Sequence, residues 1–161
     1  MTTRLAVIPA RGGSTRLEDK NIHPLGGKPL IQWTVEAVCG SDCFDRVLVS
    51  TDSPAIAEAA RAAGDVEIHD RPAAYAGARV TVLEALLALM EEVPRQDVFA
   101  YFLPTCPFRS AADIRGGVGL LVPEVDAVVS VCEYTEPPQL ALLRAGDEVL
   151  PVFDNLKVGA T

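Results

Sequence analysis

Two kinds of hydrophobic pattern alternate along the chain. Short, almost wholly apolar runs such as 5–9 are typical of parallel strands buried on both faces, whereas apolar residues at helical spacing, as in 30–39, predict helices with one packed face. The predicted strands are 5–9, 46–50, 66–69, 98–103 and 127–131, and the predicted helices are 30–39, 54–64, 81–92 and 110–121. A β-hairpin is predicted over 140–153, with its turn near Gly146.

The order of these elements predicts the fold class. Strands that alternate with helices at this spacing call for right-handed crossovers and a mostly parallel sheet covered on both sides. We therefore expect an α/β, three-layer Rossmann-like fold that forms a single domain over 1–161. Numbered along the chain, these strands are expected to lie in the order 3-2-1-4. The first strand and the strand at 98–103 are then neighbours at the point where the order reverses, and ligands bind beyond the carboxyl ends of such strands. Both segments that leave these strands, 9–16 and 104–109, carry arginine.

The composition and the net charge of the chain argue against several classes of function. The chain has 161 residues, 49% of them apolar, with 22 acidic side chains against 14 basic ones and a formal charge of −8. This charge argues against a nucleic-acid binder, which needs a broad basic face. No apolar run approaches the roughly 20 residues that span a bilayer, and the N-terminus lacks the features of a signal peptide, so we expect a cytoplasmic protein. The cysteines and histidines are too dispersed to predict a zinc site.

A cluster of positive charge lies near the N-terminus of this acidic chain. Four of the 14 basic residues fall between positions 11 and 28, interleaved with two glycine pairs. They are Arg11, Arg16, Lys20 and Lys28. Because the chain as a whole repels anions, an anionic ligand must be met by a local cluster of this kind.

The loop after the first predicted strand has the composition of a phosphate-binding loop. Gly12 and Gly13 allow the backbone to approach a ligand closely and to turn its amides toward it, and Ser14 adds a hydroxyl. The spacing matches neither a Walker A loop, which ends in Gly-Lys-Ser/Thr, nor the Gly-x-Gly-x-x-Gly of dinucleotide-binding folds. We therefore expect a phosphate site that belongs neither to a P-loop NTPase nor to a dinucleotide-dependent dehydrogenase.

Several ordered motifs resemble one enzyme family. The segments Ile8-Pro-Ala-Arg-Gly-Gly-Ser-Thr-Arg-Leu17, Lys20-Asn-Ile and Leu25-Gly-Gly-Lys-Pro-Leu-Ile31 are similar to the nucleotide-binding signature of CMP-sialic acid synthetases, the acylneuraminate cytidylyltransferases. The resemblance continues in the family's order and spacing through 43–53, Arg71-Pro, Pro104-Thr-Cys-Pro-Phe-Arg109 and Val128-Val-Ser-Val131. It covers about 10–150, and several motifs in order are more specific than any one of them.

The resemblance implies a fold, a reaction and partners. The fold would be the nucleotidyltransferase form of the Rossmann-like architecture. In the reaction, the anomeric hydroxyl of a sialic-acid-like sugar acid would attack the α-phosphate of CTP, giving the CMP-sugar and pyrophosphate with Mg²⁺. The implied partners are CTP and the sugar acid, with neither nucleic acid nor a membrane, and the full-length protein would be a homodimer.

The resemblance also assigns roles to residues by position. Arg11, Ser14 and Lys20 would hold the triphosphate, and Arg11 and Lys20 would stabilise the transition state. Asn21 would support the nucleotide, and the cytidine or ribose would be held by Arg71 and Thr81. The predicted nucleotide-binding set is Ala10, Arg11, Gly12, Gly13, Ser14, Arg16, Lys20, Asn21, Arg71 and Thr81.

The acceptor substrate would be bound by residues of the segment that follows the strand at 98–103. Leu103, Thr105 and Arg109 are expected there, and Arg109 either binds the sugar carboxylate or braces its loop. A fourth polar residue, Asp52, is expected either beside the pocket or in contact with a helix N-terminus.

The chain departs from the family's pattern at four places. Thr15 stands where the family has a lysine, and we expect the neighbouring Arg16 to make the lysine's phosphate contact. Leu103 stands where the family has a glutamine. The loop at Ala76-Gly-Ala78 is one residue shorter and lacks an acid. The family's chains also continue to an aspartate-x-aspartate that binds magnesium, whereas this chain stops at Thr161, so the magnesium ligands are unknown and a C-terminal truncation is expected.

Three functions stay open on this basis. The first is a cytidylyltransferase for a nonulosonic sugar acid. The second is a cytidylyltransferase for another keto acid or a phosphonate, because Leu103 and the shortened loop alter positions that affect specificity. The third is a non-catalytic nucleotide-binding or assembly module, which the missing metal carboxylates favour and the intact loop from Arg11 to Lys20 opposes.

Overall fold

The structure, a computed structural model, describes residues 2–14, 17–133 and 141–152. In chain order the elements are β1 (Arg4–Pro9), a 3₁₀ helix (Lys20–Ile22), β2 (Pro24–Leu25), β3 (Lys28–Pro29), α1 (Leu30–Cys39), β4 (Arg46–Thr51), α2 (Pro54–Arg61), β5 (Glu67–Asp70), a second 3₁₀ helix (Ala73–Tyr75), α3 (Val82–Glu92), β6 (Val98–Tyr101), α4 (Ala111–Gly119), β7 (Leu142–Ala145) and β8 (Glu148–Pro151). In this part of the chain, no helix has the length and apolar character that crossing a membrane requires.

The main sheet consists of four parallel strands in the order β5-β4-β1-β6. β1 lies between β4 and β6, with Ile8 opposite Val49 and Leu5 opposite Phe99. This confirms the predicted order 3-2-1-4. It also brings the carboxyl ends of β1 and β6 side by side, so that the loops after these two strands leave from the same end of the sheet.

Helices cover both faces of this sheet because successive side chains of a strand point to opposite faces. Ala6 and Ile8 of β1 pack on one face with residues of α1, α2 and α4, whereas Leu5 and Val7 pack on the other face with α3. All four side chains are 0% exposed, which explains why β1 is apolar at consecutive positions from Leu5 onward rather than at alternate ones. The predicted three-layer α/β architecture with a parallel central sheet is therefore confirmed.

One predicted strand is wrong. Residues 127–131 have no strand conformation and pair with no strand of the described chain. Val129 and Val131 are 77% and 91% exposed. The apolar run alone predicted this strand, but a strand forms only where its backbone amides and carbonyls pair with those of a neighbour.

The chain divides into two compact units, Met1–Val128 and Val129–Thr161. The first unit contains the main sheet and helices α1 to α4. In the second, β7 and β8 form the predicted antiparallel hairpin, and Gly146 in its turn has a φ of 65°, a conformation that favours glycine. Positions 140 and 153, at the ends of the predicted hairpin, lie outside the described residues. The single domain over 1–161 stays a prediction.

Helices α3 and α4 begin with matching capping boxes. The hydroxyls of Thr81 and Ser110 cap the two helices, and the carboxylates of Glu84 and Asp113 accept hydrogen bonds from the backbone amides of those caps at 2.7 and 2.8 Å. These backbone bonds, with the hydroxyl bonds beside them, hold the pKa of Glu84 and of Asp113 below its ordinary value. The helix predicted over 110–121 therefore begins at a capping serine, Ser110.

Asp113→Asn is expected to lower the Tm at neutral pH, by an amount that shrinks as the pH falls. A carboxylate whose pKa is lowered by folding contributes its full stability above its unfolded pKa, and this contribution is lost as the pH falls through the lowered value. Thermal unfolding at about pH 7, 5 and 3 brackets the ordinary value of 3.8 and measures the effect. Glu124→Gln, at an exposed acid beyond α4, is the control. A Tm difference that stays constant down to the lowest pH would contradict this role.

Candidate active site

A cleft opens at the carboxyl ends of β1 and β6, where the reversal of strand order predicts a ligand site. Its volume is about 250 Å³, close to the lower end of the range for small-molecule sites. The cleft is lined by Pro9, Arg11, Ser14, Lys20, Asn21, Arg71, Tyr75, Val80, Thr81, Val82, Leu103, Pro104 and Thr105. The site therefore combines residues from four separated segments of the first compact unit.

Most of the predicted site residues meet in this cleft. They are Arg11, Ser14, Lys20, Asn21, Arg71, Thr81, Leu103 and Thr105. Ala10, Gly12 and Gly13 belong to the same loop as Arg11 without lining the cavity itself. Arg109 lies over the ring of Phe102, with its guanidinium carbon 5.1 Å from the ring centroid, and Arg16 lies outside the described residues.

The loop after β1 is braced from the end of β4. The backbone amide of Gly12 donates a hydrogen bond to the Asp52 carboxylate at 2.7 Å. A Cβ atom at Gly12 would lie 3.0 Å from the Cβ of Ser53, whereas a Cβ at Gly13 would meet nothing within 4 Å. A side chain at position 12 would therefore require Ser53 to shift by a few tenths of an ångström, whereas position 13 has open space beside it.

Arg11 and Lys20 reach the cleft from two segments that are tied together. The Arg11 guanidinium donates from Nη1 to the carbonyl of Gly77 at 2.9 Å. The buried amide of Asn21, next to Lys20 in the first 3₁₀ helix, donates to the carbonyl of Arg11 at 2.9 Å. Asn21, expected to support the nucleotide, thus supports the loop that carries Arg11.

Arg71 is the most deeply buried of the cations in the cleft. It is 8% exposed and follows β5, and its backbone amide donates to the carbonyl of Thr51 at 2.9 Å. Burial lowers the pKa of the Arg71 guanidinium, the carboxylate of Asp52 opposes that shift, and the nearby cation of Arg11 adds to it. Arginine nevertheless keeps its charge in proteins, so Arg11 and Arg71 form a pair of cations that an anion would stabilise.

The electrostatic character of the cleft is opposite to that of the whole chain. Among the described residues, its lining includes three cations, Arg11, Lys20 and Arg71, and no aspartate or glutamate, although the chain carries a formal charge of −8. A serine hydroxyl and three cations around a partly enclosed space suit a ligand with several negative charges.

Lys28, a member of the same sequence cluster, lies elsewhere. Its ammonium group stands 3.7 Å from the ring centroid of Trp33 and pairs with Glu36 of α1. The turn between β2 and β3 contains Gly26 and Gly27, whose φ angles are 60° and 92°, and it folds the chain back onto α1. The sequence cluster therefore divides between a ligand site and a structural contact.

Five cleft residues were missed by the sequence analysis. They are Pro9, Tyr75, Val80, Val82 and Pro104. Val80 and Val82 flank Thr81 in the sequence, and that adjacency was the available signal. Tyr75 offered no such signal, because the 3₁₀ helix that carries it was not predicted.

Comparison with known proteins places the chain among relatives of one kind. Residues 5–98 match the protein family described as cytidylyltransferase. The chain is 38% identical over 161 aligned residues to the CMP-N,N'-diacetyllegionaminic acid synthase of Legionella pneumophila, and 33% identical over 155 to an N-acylneuraminate cytidylyltransferase of Escherichia coli. These alignments cover 96% and 95% of this chain but 69% and 37% of the two relatives.

A solved structure gives the same result at the level of the fold. CMP:2-keto-3-deoxy-manno-octonic acid synthetase, complexed with CTP, superposes on this chain with a TM-score of 0.60 at 25% sequence identity. The superposition covers 73% of this chain and 46% of that one, so the chain spans about half the length of this structural relative.

Proposed function

Because this chain belongs to the cytidylyltransferase family, we propose that it binds CTP in the cleft and transfers CMP to a nonulosonic, sialic-acid-like sugar acid. The observation that carries this proposal is the lining of the cleft, in which Arg11, Lys20 and Arg71 converge and no described residue carries a carboxylate. The names of the two sequence relatives, a legionaminic acid synthase and an acylneuraminate cytidylyltransferase, support the class of acceptor.

The proposed reaction is a substitution at the α-phosphorus of CTP. The anomeric oxygen of the sugar acid forms a bond to this phosphorus, the bond from phosphorus to the bridging oxygen of the β-phosphate breaks, and pyrophosphate leaves with the electron pair. The hydroxyl proton passes to solvent. Negative charge grows on the leaving group, so cations held in place beforehand stabilise the transition state. Arg11 and Lys20 are proposed for this task, with the Ser14 hydroxyl as a further donor.

The nucleoside of CTP is proposed to lie beside Arg71 and Thr81. The Thr81 hydroxyl donates its proton to the Glu84 carboxylate at 2.7 Å and accepts a bond from the Glu84 amide at 3.2 Å. With its proton engaged, this hydroxyl offers a ligand only an acceptor. We propose that the 4-position of the base faces this acceptor, where the 4-amino group of cytosine can donate a hydrogen bond and the 4-oxygen of uracil cannot.

Mg²⁺ is proposed only as the ion that accompanies CTP. In the described part of the chain, no group of three or more histidine, cysteine, aspartate or glutamate side chains could hold a metal ion. Nor do the described residues that line the cleft offer the carboxylate oxygens that Mg²⁺ prefers. These residues do not fit a magnesium site built by the protein.

The remaining expectations about partners stay predictions. The formal charge of −8 supports a small-molecule substrate over nucleic acid. A cytoplasmic location and a homodimer of the full-length protein were expected from the N-terminus and from the family resemblance, and both can be tested by fractionation and by light scattering.

The proposed function is tested by calorimetric titration with CTP, ATP, GTP and UTP, each with and without Mg²⁺. Binding is measured rather than turnover because it depends directly on the cleft described above. Selective binding of CTP is the expected result. Equal binding of all four triphosphates would support a phosphate site without base recognition, and the absence of binding to any nucleotide would overturn the proposal.

Leu103→Gln is expected to change the preference for nucleotide or acceptor without unfolding the protein. Leu103 lines the cleft between β6 and Thr105, and a glutamine there would add a donor and an acceptor. This position favours the second candidate function, transfer to another keto acid or a phosphonate. Affinities for CTP and UTP, and turnover with several keto acids, measure the change. An unaltered preference profile would make Leu103 an ordinary packing residue.

A further inference from the structure

The guanidinium of Arg71 is held by a single residue at the end of β4. Its Nε donates to the hydroxyl of Ser50 at 3.2 Å, and its Nη2 donates to the Ser50 carbonyl at 2.8 Å. That carbonyl also accepts from the amide of Ala10 at 2.9 Å, which joins the start of the first loop to β4. Ser50 therefore engages two of the five N–H donors of Arg71, and the other three, which have no hydrogen-bond partner among the described residues, can serve a ligand in the cleft.

Ser50 is in turn the first of three hydrogen-bonded side chains that lead away from the cleft. Ser50 and His69 face each other across β4 and β5, and the Ser50 hydroxyl lies 3.0 Å from Nδ1 of His69. Nε2 of His69 lies 3.1 Å from the carboxylate of Glu92, at the end of α3. The side chain of His69 is 14% exposed and that of Glu92 is 49% exposed, so the series of hydrogen bonds runs from the buried site to the surface.

The chemistry of these groups determines which atom donates in each of these hydrogen bonds. The Glu92 carboxylate can only accept, so Nε2 of a neutral His69 carries the proton and Nδ1 presents a lone pair. The Ser50 hydroxyl then donates to Nδ1, because Nε of Arg71 can only donate and needs a lone pair of the same hydroxyl. Each bond thus orients the next, from Glu92 through His69 and Ser50 to Arg71.

We infer that Ser50, His69 and Glu92 are positioning residues that fix the guanidinium of Arg71 for its ligand in the cleft. The inference rests on the proposed function only for the identity of that ligand, CTP. A long arginine side chain loses rotamer freedom when it binds, and a guanidinium oriented beforehand avoids part of that loss. Glu92 lies outside the cleft lining and acts on the site through two intervening side chains.

The same three residue types form the catalytic chain of many hydrolases, but the geometry excludes that role here. Ser50 is 2% exposed, and its hydroxyl is enclosed by Arg71 on one side and His69 on the other. A nucleophilic serine must reach a reacting carbon or phosphorus atom. The hydroxyl of Ser50 instead receives a bond from an arginine, which suits a role in orientation.

The orientation can be tested without any ligand by NMR of the protein. The ring-nitrogen shifts of His69 are expected to report the Nε2–H tautomer, and the Nε–H of Arg71 is expected to give a slowly exchanging signal. His69→Gln keeps a polar group near Glu92 but removes the acceptor for Ser50, so the Arg71 signal should exchange faster. An unchanged Arg71 signal in His69→Gln, or the Nδ1–H tautomer in the wild type, would overturn the inference.

Nucleotide affinity tests the consequence for the site. His69→Gln and Glu92→Ala are expected to raise the Kd for CTP, by about tenfold for the former, because a charge-assisted contact is worth this much. His69→Asn, whose amide oxygen can replace Nδ1 as the acceptor, should restore most of the affinity, which a purely structural role would not predict. Glu91→Ala, at the neighbouring exposed acid of α3, is the matched control.

The outcomes separate this inference from the proposed function. Affinities that stay the same in His69→Gln and Glu92→Ala, with a wild type that binds CTP, would overturn the positioning role alone. A wild type that binds no nucleotide would overturn the proposed function, and the NMR experiment would then decide by itself whether Glu92, His69 and Ser50 orient Arg71.

Discussion

Arg11→Ala and Lys20→Ala are each expected to weaken CTP binding by tenfold or more. Hydrogen bonds to charged groups contribute about 1.5–3 kcal/mol, and about 1.4 kcal/mol corresponds to a factor of ten in Kd. An exposed ion pair would contribute only about 0–1 kcal/mol. The larger figure applies here because both cations line the cleft, and the described residues of its lining include no carboxylate. Calorimetric titration of each variant with CTP measures the loss.

Matched variants separate a local effect from a general change in charge. Arg61→Ala removes the same charge from an exposed position of α2 outside the cleft lining, and its affinity for CTP should stay near that of the wild type. Arg11→Lys retains the charge but not the planar guanidinium that also donates to Gly77, so we expect it to restore the affinity partially. Unchanged affinity in both alanine variants would contradict the phosphate-loop assignment.

Leu89→Ala is expected to lower the free energy of unfolding by about 2–5 kcal/mol, the range for a buried leucine truncated to alanine. Leu89 is 1% exposed and packs in one cluster with Leu5, Val7 and Leu48 of the sheet. Its truncation would leave a cavity between α3 and β1. Urea unfolding of the wild type and the variant, analysed with a common m-value, measures the change.

The same substitution on the other side of the helix is the control. Leu87 belongs to α3 as well but is 53% exposed, so Leu87→Ala should change the free energy of unfolding by less than about 0.5 kcal/mol. Helix propensity affects the two variants equally, and the difference between them therefore reports burial. Equal losses would contradict the assignment of the buried face of α3.

Local signals predicted most of the fold. Ser53 and Pro54 mark the start of α2, and Pro29 precedes α1, because a cap or a proline acts within one turn of its own position. The wholly apolar 5–9 run predicted a strand buried on both faces, which β1 confirms with 0% exposure at Leu5 and Ile8. The strand order also agreed with the prediction, since short crossovers allow few topologies.

The failures occurred where the outcome depended on partners distant in the sequence. Residues 127–131 have the composition of a strand, but they have no pairing partner among the described residues. Apolar residues at helical spacing predicted a helix with one packed face over 81–92. They did not predict that Leu83, Leu87 and Met90 of α3 are 64%, 53% and 47% exposed. Apolar composition states what a segment can bury, whereas burial itself requires a facing surface.

The candidate site shows the same division. The residue types of the loop from Arg11 to Lys20 indicated a phosphate site, and the family resemblance added Arg71 and Thr81. Three contacts could not be predicted from the sequence. They are the hydrogen bond from Asn21 to the loop carbonyl, the contact of Lys28 with Trp33, and the series of hydrogen bonds from Glu92 to Arg71.

Local preferences and hydrophobic periodicity depend on a few neighbouring residues, so the amino-acid sequence alone specified the helices, their caps, the central strand and the chemistry of the first loop. Contacts such as Ser50 to His69 join residues 19 positions apart on two different strands and exist only after these strands have paired in register. Folding therefore decided which of the clustered cations share a cleft and which side chains orient them.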